Sequence, residues 1–349
     1  MTGTGGERFS AIDLFAGCGG LSLGLRAAGF DVVAAVEKEC VAASTYAKNH
    51  PAARLIERDI QAVDPRALMH ELAMSPGDLD LLAGCPPCQG FSTLRTYNGN
   101  KSIFDPQNDL IFQMLGFVRR FRPKALMIEN VPSLLGDRRL VEFRSELEAL
   151  GYGSRAKVFN ARDFGVPQRR RRMVLLGWSG ESIPFAGPCS WAPTVADALR
   201  GVSTAGQSGD PAHDYRVRRS NRIEALIRLV PKNGGSRCDL PDEYRLDCHR
   251  RTDGFRDVYG RMTWQDPAPT ITSGCINPSR GRFLHPDEPR AITLREAALL
   301  QGFPRRYEFE LSRGRYAVAH LIGNAFPPAF AERHARSIAK HLSLRRRTP

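Results

Sequence analysis

The sequence predicts an α/β protein, a doubly wound sheet domain carrying a smaller irregular domain. Three observations predict it. Through the first half, short apolar runs alternate with longer amphipathic ones, the rhythm of strands connected by helices. The glycine-rich stretch Asp13-Leu14-Phe15-Ala16-Gly17-Cys18-Gly19-Gly20 falls where the first strand hands over to the first helix, a turn that lets backbone approach a nucleotide-like ligand. After Trp178 the rhythm stops, and from Gly187 to about Arg261 the chain is rich in Pro, Gly, Arg and Ser.

In order, Phe9 to Phe15 is predicted as a strand and Gly19 to Ala28 as a helix. Val32 to Val36 is a strand, and Glu39 to Asn49 a helix. Leu79 to Ala83 is a strand, followed by a helix over Leu110 to Phe121. Ala125 to Ile128 is a strand, and Arg139 to Leu150 a helix. Lys157 to Asn160 and Met173 to Leu176 complete the strands. The irregular stretch holds one convincing helix, Asn221 to Leu229, and helical pattern returns at Leu294 to Leu300 and Ala329 to Leu342. These patterns divide the chain into a sheet domain over 1–185, a smaller domain over 186–310, and a segment over 311–349 that returns to the first domain.

The chain has 349 residues, enough for one large domain and a smaller one. Its 42% hydrophobic and 25% charged content is that of a globular protein. Lys+Arg 50 against Asp+Glu 37 gives +13, which points to a polyanionic partner. Charge alone does not separate nucleic acid from an anionic membrane surface, but no run of 18 apolar residues is present to span a bilayer. Eight cysteines without a framework pattern, and no apolar signal core at the N-terminus, point to a reducing cytoplasm. The basic tail Arg345-Arg346-Arg347 is expected to be a solvated, frayed end.

Cys88 carries the most information. It lies in Gly84-Cys85-Pro86-Pro87-Cys88-Gln89-Gly90-Phe91-Ser92, directly after an apolar run, so a thiol is presented by a proline-stiffened turn at a strand's carboxyl end. Cys85 and Cys88 form a C-x-x-C pair, compatible with a redox dithiol or half a zinc site. No second such pair exists, and Cys238, Cys248 and His249 are poorly spaced, so no metal is expected. An inert buried thiol fits Cys85 better than Cys88.

Acidic and basic residues follow at successive strand ends. Glu37 stands where an acid binds ribose hydroxyls, and Asp59-Ile60 where one meets an adenine amino group. The turn is Gly-x-Gly-Gly rather than Gly-x-Gly-x-x-Gly, which favours a nucleoside ligand without a pyrophosphate. Glu129-Asn130-Val131 closes an apolar strand, where burial disfavours the charged carboxylate. In Gln168-Arg169-Arg170-Arg171-Arg172, an extended backbone puts Arg170 and Arg172 on one face.

Together these motifs resemble the carbon-5 cytosine DNA methyltransferases. The matching pieces, in order, are DLFAGCGGLSLGL, Glu37, Asp59-Ile60, GCPPCQGFS, ENV, QRRRR, RAITLREAALLQGFP and GNAFPP. They cover nearly everything except Gly187 to Arg261; Cys18, Cys85 and Phe326 occupy slots where the pattern differs slightly. The resemblance implies a Rossmann-like domain that binds S-adenosyl-L-methionine. It implies Cys88 as nucleophile on carbon 6 of cytosine, Glu129 at ring nitrogen 3 and the amino group, and Arg172 with Arg170 at the base oxygen, holding Glu129. Phe15, Gly17, Gly19, Glu37, Asp59, Ile60, Pro87, Leu110 and Asn324 would form the cofactor site.

Thiolate addition makes carbon 5 nucleophilic, which is covalent catalysis, and the target base must leave the duplex stack. Gln89 to Asn108 is expected to close over it, with Gln89 and Ser92 touching DNA. The stretch Gly187 to Arg261 stands in the place of target recognition. Arg216 and Arg219 in the cluster Arg216, Arg218, Arg219 and Arg222, and Asn233 and Arg237 in a Gly-rich loop, are the expected DNA contacts. The expected partner is double-stranded DNA bound by a monomer, with no membrane; a cognate restriction endonuclease is compatible. Two alternatives remain at this point: a transfer-RNA methyltransferase on the same scaffold, and a catalytically inactive DNA-binding homologue.

Overall fold

The computed structural model describes residues 8–87, 106–215, 217–246 and 256–347, with backbone alone at 106–108 and 347. It forms two compact units, one of Met1–Asn160, Arg171–Pro188 and Phe326–Pro349, the other of Ala161–Arg170 and Cys189–Ala325. The expected boundaries shift in three places. Ala161–Arg170 belongs to the second unit, the first unit runs on to Pro188 rather than to residue 185, and the return to it comes at Phe326 rather than at residue 311. The cause of the later return is the helix Arg315–Asn324, which packs on the helix Leu294–Gln301.

The first unit is built on a seven-stranded sheet: β1 (Phe9–Leu14), β2 (Phe30–Val36), β3 (Arg54–Ile56), β4 (Leu81–Gly84), β5 (Ala125–Asn130), β6 (Tyr152–Asn160) and β7 (Arg171–Ser179). Their order is β3-β2-β1-β4-β5-β7-β6. The first five are parallel, and β7 is antiparallel to both β5 and β6. β4 and β5 are buried along their whole length and β1 nearly so, as strands covered on both faces must be. The chain leaves β1 in one direction for β2 and in the other for β4. That switch point opens a crevice at the carboxyl ends of the strands.

Helices α1 (Gly20–Ala27), α2 (Cys40–Asn49), α3 (Pro65–Glu71), α4 (Gln113–Phe121) and α5 (Arg138–Ala149) cross between the strands. The core on one side joins Leu14, Met114, Phe117, Phe121, Ile128 and Phe143. α1 is covered by the C-terminal helix Pro328–Arg347, and Gly24 permits the approach. A Cβ at Gly24 would lie 2.5 Å from the Pro328 carbonyl oxygen and 2.6 Å from the Ala331 Cβ. The basic tail is docked, not frayed. Arg345 Nη1 donates to the Ser179 carbonyl at 2.6 Å, and the Arg346 guanidinium lies 4.4 Å over the Phe9 ring and 3.3 Å from Asp80 Oδ2.

The second unit contains four α-helices among its described residues, α6 (Val195–Leu199), α7 (Asn221–Leu229), α8 (Leu294–Gln301) and α9 (Arg315–Asn324); the C-terminal helix Pro328–Arg347 is α10. α8 opens with a reciprocal cap between Thr293 and Glu296 and ends at Gly302 in the left-handed region, φ 93°. A unit with so little regular ladder must satisfy its carbonyls otherwise. Arginines do this. Arg261, 1% exposed, donates to the carbonyls of Val230 (2.9 Å), His285 (2.9 Å) and Ile227 (2.8 Å). Arg282 Nη1 donates to the carbonyls of Gly234 and Arg261 at 2.9 and 3.0 Å.

Candidate active site

The crevice at the end of β1 is shaped by three left-handed residues in five: Phe15 (φ 60°), Gly17 (φ 55°) and Gly19 (φ 91°). Glycine adopts this conformation freely; at Phe15 it is strained, a feature that gathers at ligand sites. Glu37 follows β2 directly and binds the turn. Its Oε2 accepts from the Gly17 N–H and its Oε1 from the Glu39 N–H, both at 2.8 Å. Burial raises its carboxyl above the usual range, and these backbone donors pull the other way. Asp59 is half-exposed, accepts from the Gln61 N–H at 3.0 Å and pairs with Lys38 at 3.1 Å. Those bonds hold its carboxyl below the usual range. Ile60 and Leu110 are buried.

One strand over, Gly84 ends β4 against β1, where a Cβ would meet the Leu14 carbonyl oxygen at 2.8 Å. The Cys85 N–H donates to that same carbonyl at 3.2 Å, and Pro86 is buried while Pro87 is partly open. Asn130, at the end of β5, donates from Nδ2 to the Pro86 carbonyl at 3.1 Å. The turn that leads to Cys88 is thus tied at both sides. Cys88, Gln89 and Ser92 lie outside the described residues.

Glu129 is buried, and Arg172 Nε lies 2.8 Å from its Oε1. The pair spans β5 and β7, and the guanidinium offsets the cost of burying the carboxylate. In register Ile128 faces Gly84, so Glu129 sits beside Cys85. Burial and the Glu129 charge push the Cys85 thiol well above its ordinary value, as befits an inert thiol.

Arg170 has a different employment from the expected one. It is 1% exposed, and its guanidinium donates to the carbonyls of Ile271 and Gly323, each at 2.9 Å. The polypeptide passes from the second unit into β7 between Arg170 and Arg172, so the two do not share a strand face. Gln168 works alongside Arg170: its Oε1 accepts from the Ile271 N–H at 2.9 Å and its Nε2 donates to Gln301 Oε1. Gln301 in turn donates to the Ala325 carbonyl at 2.6 Å. These bonds fix the segment holding Asn324, which ends α9 with its amide 3.2 Å from the His320 ring.

The expected DNA contacts separate. Arg237 is buried, 5% exposed, so it supports the loop instead of projecting from it. Asn233 is exposed but left-handed at φ 52°, with Oδ1 accepting from the Trp264 N–H at 2.8 Å and Nδ2 donating to Gln265 at 3.2 Å. It shapes the turn. Arg219 is half-buried near Tyr215, Tyr259 and Tyr316, and burial lowers its guanidinium from the usual range. Arg218 and Arg222 are exposed, and Arg216 lies outside the described residues. A cleft of ≈ 200 Å³ beside the loop is lined by Arg169, Gly234, Met262, Thr263, Asp266 and Arg282, among others.

Sequence reasoning missed the Asn130 tie and a buried cluster under the glycine turn, Asp13, Ser22 and Tyr46. Asn130 stood in a quoted motif, but its partner 44 residues away is not visible in sequence.

The profile of the C-5 cytosine-specific DNA methylase family matches residues 9–340. The Type II methylase M.HgiDII of Herpetosiphon aurantiacus is 35% identical over 350 residues, covering 95% of this chain and 96% of the relative. The Type II methyltransferase M1.HphI of Haemophilus parahaemolyticus is 32% identical over 94% of this chain and 86% of its own length. Among solved structures, a putative DNA modification methyltransferase encoded within an E. coli prophage superimposes with a TM-score of 0.70 at 26% identity, over 96% of this chain and 99% of that one. The S. pombe Dnmt2 methyltransferase shares the fold, with a TM-score of 0.61 at 18% identity, over 96% and 99%.

Proposed function

The chain belongs to the C-5 cytosine-specific DNA methylase family, and from that footing we propose that it methylates carbon 5 of a flipped-out cytosine within a specific duplex sequence, by way of a covalent Cys88 adduct at carbon 6. The observation that carries this reading is the gathering, at neighbouring strand ends, of the glycine turn clasped by Glu37 and of the Glu129–Arg172 pair beside the Cys-Pro-Pro-Cys turn.

The residues at β1 and β2 fit S-adenosylmethionine. Glu37 is held by two backbone donors with lone pairs to spare for ribose hydroxyls, and half-exposed Asp59 is open to an adenine amino group. Phe15, Gly17, Gly19, Ile60, Pro87 and Leu110 would complete the site within the first unit; Asn324 belongs to the GNAFPP motif that the resemblance also assigns to the cofactor. When bound, the cofactor supplies an electrophilic methyl on a sulfonium sulfur.

The Cys88 thiolate would add to carbon 6 while Glu129, oriented by Arg172, hydrogen-bonds ring nitrogen 3 and the exocyclic amine. Electron density then accumulates at carbon 5. Loss of the carbon 5 proton after methylation expels Cys88 by β-elimination and restores the ring. Asn130 holds Pro86 so that the turn meets the base in one geometry. Arg170 acts through the backbone of Ile271 and Gly323, as a positioning residue.

The second unit would read the duplex. Exposed Arg218 and Arg222 suit phosphates, and the cleft lined by Arg169, Gly234 and Thr263, next to the loop that Asn233 and Arg237 shape, suits a groove. The Type II names of the relatives support a restriction–modification role, in which a cognate endonuclease would be the partner; a monomer in the cytoplasm is part of the same proposal. Parallel assays with labelled S-adenosylmethionine on duplex DNA and on transfer RNA test the reading. Label at carbon 5 of cytosine in DNA alone is expected; transfer to RNA alone, or to neither, would overturn it.

A further inference from the structure

The glycine turn rests on a buried polar cluster that the proposed chemistry does not use. Asp13, next to last in β1, is 0% exposed. Its Oδ2 accepts the Ser22 hydroxyl at 2.6 Å, and Ser22 Oγ lies 2.8 Å from the Tyr46 hydroxyl. Its Oδ1 is buried with no hydrogen-bond partner among the described residues. A charged oxygen without a donor in a dry site is costly, so burial favours the neutral acid and pushes the carboxyl up to about 7.

The charges around it come from every side. Glu37 at the end of β2 adds repulsion. On α1 and α2, Arg26 bears on Tyr46 and on His50, and His50 stacks on Tyr46 with centroids 4.5 Å apart. Cys18 in the turn is pushed up to about 12, and Cys85 after β4 feels Asp13, Glu129 and Arg172. Asp13 pairs in register with Ala35 of β2 and Ala83 of β4. It therefore lies on the strand between those that end at Glu37 and at the Cys85 turn, two residues below their level, beneath the span that a methyl donor's sulfur must occupy to join the two.

We propose that Asp13 is the counter-charge for the cofactor's sulfonium: it carries a proton in the free enzyme and releases it to solvent when S-adenosylmethionine binds. The balance closes over the cycle. Methyl transfer turns the cation into a neutral thioether, Asp13 takes a proton back, and the product loses the attraction that held the substrate. The inference rests on reading this turn as the cofactor site.

Calorimetric titration with S-adenosylmethionine and with S-adenosylhomocysteine, at about pH 6.5 in two buffers of different ionisation enthalpy, counts the protons. The wild type should release about half a proton or more with the sulfonium and little with the thioether. Asp13→Asn should release little with either. Equal release for the two ligands in the wild type would overturn the proposal, and so would an Asp13→Asn variant that releases as the wild type does. Should that variant not fold, the two-ligand comparison in the wild type decides alone. Binding without differential release defeats only this inference; no binding of either ligand defeats the cofactor reading with it.

Discussion

Replacing Arg172 with alanine should destabilise the first unit by about 3–5 kcal/mol, well above a typical point change. The magnitude follows from the pair's surroundings. The Glu129 side chain is 8% exposed and that of Arg172 17%, with 2.8 Å between Nε and Oε1. Removing the guanidinium leaves a carboxylate with little access to water, and at an effective dielectric near 20 a pair of charges about 4 Å apart interacts by about 4 kcal/mol. Water entering on the more open Arg172 side favours the lower end of the range. Glu129→Gln should cost less, about 1–2 kcal/mol, because the remaining charge is the one nearer solvent. The double variant should then be more stable than the sum of the two losses predicts, by about 2 kcal/mol or more. Urea denaturation followed by circular dichroism closes this cycle without reference to activity, which all three variants should lose. An Arg172→Ala protein within about 0.5 kcal/mol of wild type, or a coupling near zero, would refute the idea that this pair braces the site.

Other outcomes follow from the same geometry. Asn130→Ala should lower kcat on the order of tenfold while leaving S-adenosylmethionine affinity unchanged, since it releases Pro86 and not the glycine turn; rapid-quench kinetics with calorimetry separates the two. Gly24→Ala should cost about 1–3 kcal/mol through its clash with the backbone of α10, read as a lowered denaturation midpoint. Buried His50 and His334 are each lowered to about 4. Their contribution is complete above about pH 6.5 and lost as pH falls toward about 4, by up to about 1.4 kcal/mol per unit each, so His334→Phe should flatten the acid limb of the stability profile. Asp13 runs the opposite way, because its raised carboxyl favours the folded state at low pH and loses that contribution as pH rises through about 7. Arg218→Ala should weaken binding to all duplexes and reduce the salt slope by about one, whereas Arg237→Ala should act mainly on stability.

What could be read from the sequence follows from which interactions are local. β1, β4 and β5 are buried on both faces, so each shows as an apolar run. β3 is three half-exposed residues, and β6, at the sheet's edge, alternates exposure, so the first was seen only through Asp59-Ile60 and the second only at its end. Glu37 and Glu129 could be found because strand ends are marked by where apolar runs stop. Asp13, Ser22 and Tyr46 could not, since their bonds join β1, α1 and α2 over separations that leave no pattern. Net charge misled in one respect. Arg170, Arg237 and Arg261 are buried, and the carbonyls that Arg170 and Arg261 satisfy belong to a unit poor in ladders. A count of basic residues cannot distinguish these braces from arginines that face a phosphate.

The central claim is that Cys88 attacks carbon 6 of cytosine. Duplex carrying 5-fluorocytosine at the methylated position tests it most directly, because fluorine cannot leave carbon 5 as a proton does and the adduct persists. With S-adenosylmethionine present, the wild-type protein should form a complex stable to denaturation whose cross-linked peptide contains Cys88, while Cys88→Ser forms none and Cys85→Ser still does. Absence of the complex from wild type on a duplex it methylates, or a cross-link that survives in Cys88→Ser, would contradict the account.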